Sequence, residues 1–348
     1  MHLKTLDLQT PVSPQTFTHI GALDGVRALS ILLVLVAHSV PFGPNRWGLN
    51  GMSGLMGMAL FFCLSGFLIV SLLYRNADAL TFLVRRILRI VPAVAVYVVI
   101  MVLLFGIGWR AVAENALFVT NYFYDGRGRG EVAAPMTHLW SLSVEMHFYL
   151  AIGVAAFVMG RRCVWLIPPA ALAITYLRID QGAYYNIATH LRVDEILSGG
   201  ILALVTLHYG TSLRRLLSRQ SVAIGALLVA SVLLVLSCHE VGGALRYIRP
   251  YCAAFFVGVL IHCRIEPIHR VLEGDIAAYI ARISYALYIY HPLTLWGWMN
   301  SGTDIERYLL KRPVSYAMMF AMAHVSTFYW EARWQALARR LTAGRKPT

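Results

Sequence analysis

The sequence predicts an all-α fold: a polytopic membrane helix bundle of about ten transmembrane helices, with both termini cytoplasmic. Of its 348 residues, 58% are hydrophobic and 14% charged, and mean hydropathy is +0.63. That is more apolar side chain than one soluble core hides, which excludes a soluble enzyme. The apolar residues also fall in blocks of about 17 to 25, the length of helix that crosses a bilayer. Orientation follows from a third observation. Lys+Arg number 30 against 17 Asp+Glu, and the basic clusters lie between apolar blocks as the positive-inside rule produces. The positive charge therefore calls for a lipid bilayer and for no nucleic acid.

Ten spans follow along the chain, at 23–40, 49–74, 87–109, 138–159, 163–179, 190–209, 221–238, 247–263, 276–299 and 313–334. With the N-terminus inside, the clusters Arg75/Arg85/Arg86/Arg89, Arg161/Arg162, Arg214/Arg215/Arg219 and Arg339/Arg340/Arg345/Lys346 all face the cytoplasm. The expected organisation is a cytoplasmic N-terminal segment (1–22), a transmembrane domain (23–334) and a basic cytoplasmic tail (335–348). No cleavable signal peptide is expected, because the first apolar run is preceded by a long mixed segment and is interrupted by Arg27 and His38. It reads as a retained signal anchor. The one long outer loop, 110–137, carries Asp125-Gly126-Arg127-Gly128-Arg129-Gly130 and reads as a connector before an acceptor-facing flap. Cys63, Cys163, Cys238, Cys252 and Cys263 show no CxxC spacing, so neither disulfide framework nor metal site is expected.

Ionisable groups at membrane depth cost roughly 2.5 to 3.5 kcal/mol each, so a span that carries several points to a wet cavity or a paired network. In the first span, eleven helical steps return Arg27 and His38 to nearly one face, about 16 Å apart along the axis. Arg27 equally suits snorkelling to lipid phosphates. The fourth span opens with His138, and His138, Ser141 and Glu145 form one stripe at i, i+3 and i+7. A carboxylate at that depth suits a histidine base, whose tautomer it fixes, and the pairing of such a carboxylate with an arginine for packing is the alternative. Arg192, Asp194 and Glu195 open the sixth span as part of the same layer or as interfacial caps. Arg85, Arg86 and Arg89 share one helical turn, the arrangement that grips phosphate oxygens of an anionic donor. Lipid contact explains the same arginines.

These residues carry a resemblance. The chain is similar to the integral-membrane acyltransferase family three, bacterial O-acyltransferases of polysaccharides, lipids and some small molecules. Arg27 through His38 resembles its Arg/Lys, ten residues, His signature. Phe61-Phe62-Cys63-Leu64-Ser65-Gly66-Phe67-Leu68 resembles its Phe-x-Leu-Ser-Gly-Phe segment, and Arg86-Ile87-Leu88-Arg89 its Arg-x-x-Arg motif. Trp140 through Glu145 with Phe148-Tyr149 resembles the Trp-Ser-Leu-Ser-Val-Glu block, and 283–292, with Ser284, Tyr285, Tyr288 and His291, the late Ser-Tyr-x-x-Tyr-x-x-His segment. Two departures stand out: Met146-His147 replaces a glutamine before the Phe-Tyr pair, and Glu331-Ala332-Arg333 replaces a Glu-x-Pro turn.

The resemblance implies a cytoplasmic acyl-CoA donor, most simply acetyl-CoA as co-substrate with no bound cofactor. It further implies an extracytoplasmic hydroxyl acceptor such as a carbohydrate or glycan precursor, and a place in the bacterial cytoplasmic (inner) membrane. His38, as general base or acyl relay, is the expected catalytic residue, with Glu145 and Arg27 beside it. Arg85, Arg86 and Arg89 are expected at the CoA end, and Ser141, Arg192, Asp194, Tyr288 and His291 are acceptor or oxyanion candidates. A fused esterase-like domain, common in relatives, is not expected. The rival from another class is a polytopic transporter or flippase whose buried charges line a substrate path. Oligomeric state has no signature in the sequence.

Overall fold

The computed structural model describes residues 21–76, 78–123 and 134–343. The expected N-terminal segment, the loop stretch 125–130 and the end of the basic tail lie outside the described residues. Those residues form helices joined by short turns, with no strand among them. In chain order the helices are α1 (Gly21–Ser39), α2 (Leu49–Arg75), α3 (Ala79–Phe105), α4 (Trp109–Ala116), α5 (Thr120–Phe123), α6 (Trp140–Met159) and α7 (Ile167–Asp180). They continue as α8 (Asp194–Leu216), α9 (Gln220–Cys238), α10 (Arg249–His262), α11 (Glu266–Leu272), α12 (Asp275–Thr294), α13 (Arg312–Val325) and α14 (Ala332–Leu341).

Among the described residues, seven helical runs are long and apolar enough to cross a membrane, one of them the 45-residue run Met136–Asp180 that holds both α6 and α7. The protein is therefore an all-α, multi-pass membrane bundle. Each predicted span coincides with helix, but the seven runs do not reproduce the count of ten: the fourth and fifth predicted spans share Met136–Asp180, and 276–299 and 313–334 are not among the runs. Asp78 accepts the Thr81 backbone N–H at 3.0 Å, a side-chain cap that starts α3 eight residues before the predicted span. Arg85, Arg86 and Arg89 thus stand on rigid helix. At the other end of the chain, a wider π turn (Ser326–Glu331) joins α13 to α14, and it buries Glu331, whose carboxylate accepts the Ser326 hydroxyl at 2.8 Å. The long outer loop is not a plain connector where it is described, since it holds α4 and α5.

α2 is the central helix, packed on one side against α1 and on the other against α8 and α10. Between lipid-facing helices there is little hydrophobic driving force, so close backbone approach has to supply the contact. The Ser65-Gly66 pair is where that happens. A methyl group built on Gly66 would lie 1.7 Å from the Ile196 carbonyl oxygen, and one on Gly199 would lie 1.9 Å from that of Cys63. α2 and α8 therefore touch backbone to backbone, glycine against carbonyl from both sides. α1 meets α2 in the same way, since a methyl on Gly57 would lie 2.6 Å from the Ser30 carbonyl oxygen. α12 then packs on the free side of α1, and α13 on α12.

Two devices fix the ends that matter for the site. Carbonyls at the end of a helix run short of helical partners, and at the end of α1 the Asn50 side-chain amide donates to Val40 at 2.7 Å, Ala37 at 3.1 Å and Val36 at 3.3 Å. Its Oδ1 accepts the Phe42 N–H at 2.9 Å. In α3, Pro92 interrupts the helical ladder, and carbonyls near it are taken up by distant helices. The Tyr285 hydroxyl donates to Ile90 at 2.8 Å and the Trp330 indole to Pro92 at 3.1 Å.

Gly66→Ala is expected to lower the unfolding midpoint of the detergent-purified protein, by the equivalent of about 1 to 3 kcal/mol of overpacking. Gly225→Ala, inside α9 with nothing within 4 Å, serves as the control and should leave the midpoint unchanged or raise it. Equal melting of the two variants would contradict the α2–α8 contact.

Candidate active site

His38 sits in the last turn of α1 with its side chain exposed, and the exposure is to a chamber of about 520 Å³. That volume lies within the range of small-molecule sites. Gly51 and Gly54 at the start of α2 leave the space. Asn50, His138, Trp140, Tyr185, Arg192 and Tyr288 supply its polar and aromatic wall. The His38 Nδ1 lies 2.8 Å from the Val34 carbonyl oxygen. A carbonyl only accepts, so Nδ1 carries the proton and Nε2 of the neutral ring holds the lone pair. The backbone of α1 thus sets the tautomer that the sequence reading had assigned to a carboxylate.

Two further histidines stand behind His38. The His291 ring is 5.2 Å from His38, and the His138 ring is 5.2 Å from His291. His291 donates its Nδ1–H to the Tyr288 carbonyl at 2.7 Å, and the His138 Nε2–H points to the Ile289 carbonyl at 3.2 Å. The Tyr288 hydroxyl donates to the His138 carbonyl and receives the Ser141 hydroxyl at 2.5 Å. Ser141 and Tyr288 therefore spend their protons on tying α6 to α12. The structure brings His38, Arg192, Tyr288, His291 and Ser141 into one neighbourhood.

Glu145 is not. Its Oε1 accepts the Ser65 hydroxyl at 2.5 Å and the Tyr149 hydroxyl, and it lines a second, narrow cavity with Arg27, Arg86, Arg89 and Tyr285. Arg27 stands eleven residues from His38, about 16 Å along α1, so Glu145 lies at the depth of Arg27. Counting turns from the helix end gave the wrong level because the stagger of α6 against α1 is invisible in one dimension. Asp194 does not reach His38 either. It is held by Arg178 Nη1 at 2.5 Å, and Arg178 also donates to the carbonyls of Ala183, Tyr184, Arg246 and Tyr247. Neither carboxylate serves as the partner of His38.

The narrow cavity shares Arg86 and Arg89 with a larger one of about 360 Å³, lined by Arg85, Arg86, Arg89 and Arg339 with Asp78 as its carboxylate. Arg85 donates to the Thr342 hydroxyl at 3.1 Å, and Arg86 lies 5.6 Å over the Tyr149 ring. Between the narrow cavity and the His38 chamber stands a stacked pair, Phe61 against Tyr288, with centroids 6.2 Å apart. The bundle therefore holds two polar cavities at opposite ends of α1, with an arginine-lined neck between them.

Sequence reasoning passed over Arg178 and Arg249. Both lie in predicted spans, which is the signal that would have found them. It also missed Ser65 and Tyr149 as partners of Glu145, although Tyr149 is one helical turn away at i+4. Among the described residues no group of histidine, cysteine, aspartate or glutamate is placed to hold a metal ion.

The fold and site define a multi-pass helical membrane protein with a histidine facing a polar chamber. Comparison with known proteins gives the family: the description "Acyltransferase domain" matches residues 20–330, and the chain belongs to it. The O-acetyltransferase OatA of Staphylococcus aureus, in strains NCTC 8325 / PS 47 and COL alike, is 26% identical over 310 residues, covering 78% of this chain and 50% of OatA. The chain thus spans about half the length of these relatives. No solved structure matches.

The Arg178–Asp194 pair is expected to behave as structure rather than machinery. Asp194→Ala should destabilise the protein by about 3 to 5 kcal/mol through the uncompensated guanidinium, and Arg178→Met combined with Asp194→Leu should lose much less. Chemical unfolding in detergent measures both, and additive losses would contradict the pairing.

Proposed function

We propose that this domain transfers an acyl group, acetyl in the first instance, from cytoplasmic acyl-CoA to a hydroxyl of an extracytoplasmic acceptor such as a carbohydrate or glycan precursor. The bacterial cytoplasmic membrane is its setting. The observation that carries the reading is His38: an imidazole at membrane depth, facing a wet chamber, with Nδ1 occupied by the Val34 carbonyl at 2.8 Å and Nε2 left as the basic nitrogen. Family membership and the likeness to a protein named an O-acetyltransferase favour an enzyme over a transporter.

In this reading the CoA phosphates bind Arg85, Arg86 and Arg89, with Arg339 completing the rim. Guanidinium groups meet phosphate oxygens in pairs and keep their charge in a low-dielectric setting. The pantetheine arm threads the neck between Arg27 and Glu145, and Phe61 turns aside from Tyr288 to admit the thioester. Glu145, tied to Ser65 and Tyr149, offsets part of the charge of Arg27, Arg86 and Arg89 and keeps the neck polar. Arg27 and Glu145 are then positioning residues rather than bases. At the chamber, the acceptor hydroxyl gives its proton to His38 Nε2 as its oxygen bonds to the thioester carbonyl carbon. The carbon–sulfur bond breaks, the acyl group stays on the acceptor oxygen, and the thiolate leaves with the proton that His38 returns. His291 packs against His38, and His138 packs against His291 behind it, which holds the His38 ring in place.

His38→Ala should insert in membranes as the wild type does and lose about 10²- to 10⁴-fold in acyl transfer, read as CoA release from radiolabelled acetyl-CoA. Wild-type turnover in that variant would discard the assignment. The double variant Arg86→Ala with Arg89→Ala should raise the donor KM far more than the acceptor KM. An equal effect on both would contradict the CoA role.

A further inference from the structure

The layer of charge beside the His38 chamber does not balance. Arg178, Arg192 and Arg249 are each 1% exposed, and among the described residues the carboxylates on them are Asp194 and Glu195, both 0% exposed. Three buried guanidiniums thus face two buried carboxylates. Arg178 takes Asp194 at 2.5 Å and the Arg249 Nε takes Glu195 Oε1 at 2.7 Å, both as hydrogen bonds. Arg192 has the remainder: its Nη2 lies 3.3 Å from Glu195 Oε2, yet none of its three nitrogens has a hydrogen-bond partner. A buried cation with its donors unspent is costly unless something else meets them.

Of the three, Arg192 is the one in the wall of the His38 chamber. Its guanidinium carbon lies 5.4 Å from the Trp140 ring centre and 5.4 Å from that of Tyr185, and both rings line the same chamber. Contact with the two rings takes up none of the N–H groups along the guanidinium edge, which have no hydrogen-bond acceptor among the described residues. An oxygen anion is the complement of that edge.

We propose that Arg192 is the docking point for an anionic group on the acceptor, a carboxylate or a phosphate, which anchors the acceptor while its hydroxyl reaches His38. The site therefore takes acidic acceptors in preference to neutral ones. This deepens the acyl-transfer reading and rests on it for the identity of the ligand as acceptor. The anion site itself stands on the charge count and the unspent donors.

The test uses the full chain purified in detergent and three probes of one size class: glucuronate, glucose 6-phosphate and glucose. Binding is read as thermal stabilisation over a concentration series. At least one anionic sugar is expected to bind about 10- to 100-fold more tightly than glucose, the range of a charge-assisted hydrogen-bonded pair, and the better of the two tells carboxylate from phosphate. Arg192→Gln should collapse that preference to near unity, and Arg192→Lys, which keeps the charge, should retain part of it. Equal affinity for all three probes in the wild type, or a preference that survives Arg192→Gln, overturns the proposal; if the glutamine variant fails to fold, an anion preference undiminished in Arg192→Lys overturns it instead. His38→Ala should keep the anion preference while it loses CoA release. Anion binding in a wild-type protein that releases no CoA would sink the acyl-transfer reading and leave the anion site standing.

Discussion

An ion inside a bilayer needs a partner or water, and the arrangement of this bundle follows from how its buried charges meet that demand, Arg192 excepted. Arg178 and Asp194 meet it by pairing. Glu145 meets it by taking two hydroxyls, and Arg27, Arg86 and Arg89 by lining a cavity around it. His38 meets it by opening onto a chamber. Had these groups been spread over one wide pore, nothing would separate the two ends of the protein. Instead the Phe61–Tyr288 stack divides them, so that a basic cavity and an imidazole chamber occupy opposite ends of one helix.

α1 links the two cavities, and the close contacts around it keep the link stiff. Glycines at positions 57, 66 and 199 bring α1, α2 and α8 within backbone distance of one another, and Asn50 locks the turn that carries His38. The same tightness explains the Ser-Gly pair in α2: Gly66 permits the α8 approach, and Ser65, next to it, turns to Glu145. One short motif thereby serves packing and polar satisfaction at once. The tyrosines of α12 tie neighbouring helices, Tyr285 through the Ile90 carbonyl of α3 and Tyr288 through Ser141 of α6.

The fold was legible because membrane helices announce themselves in apolar length, and every predicted span met a helix. The ends were less so, since α3 begins where Asp78 caps it and α14 follows a π turn that no periodicity marks. Within the site, residues on one helix were read well: Arg27 and His38 do lie at the two levels that the helical rise requires. Relations between helices were not. Glu145 was assigned to His38 from its depth on its own helix, and only the stagger of α6 against α1 places it with Arg27. Arg178 and Arg249 show a different gap, because attention to motifs drew the eye away from ions that cost as much to bury.

The account depends on a donor and an acceptor that approach from opposite faces and meet at His38. Proteoliposomes with the protein in one orientation test this most directly, with acetyl-CoA on the side of Arg85, Arg86 and Arg89 and the hydroxyl acceptor on the other. The account predicts acylated acceptor only in that arrangement, with CoA recovered on the side where the donor was added. Equal product when both substrates are confined to either single compartment would contradict it.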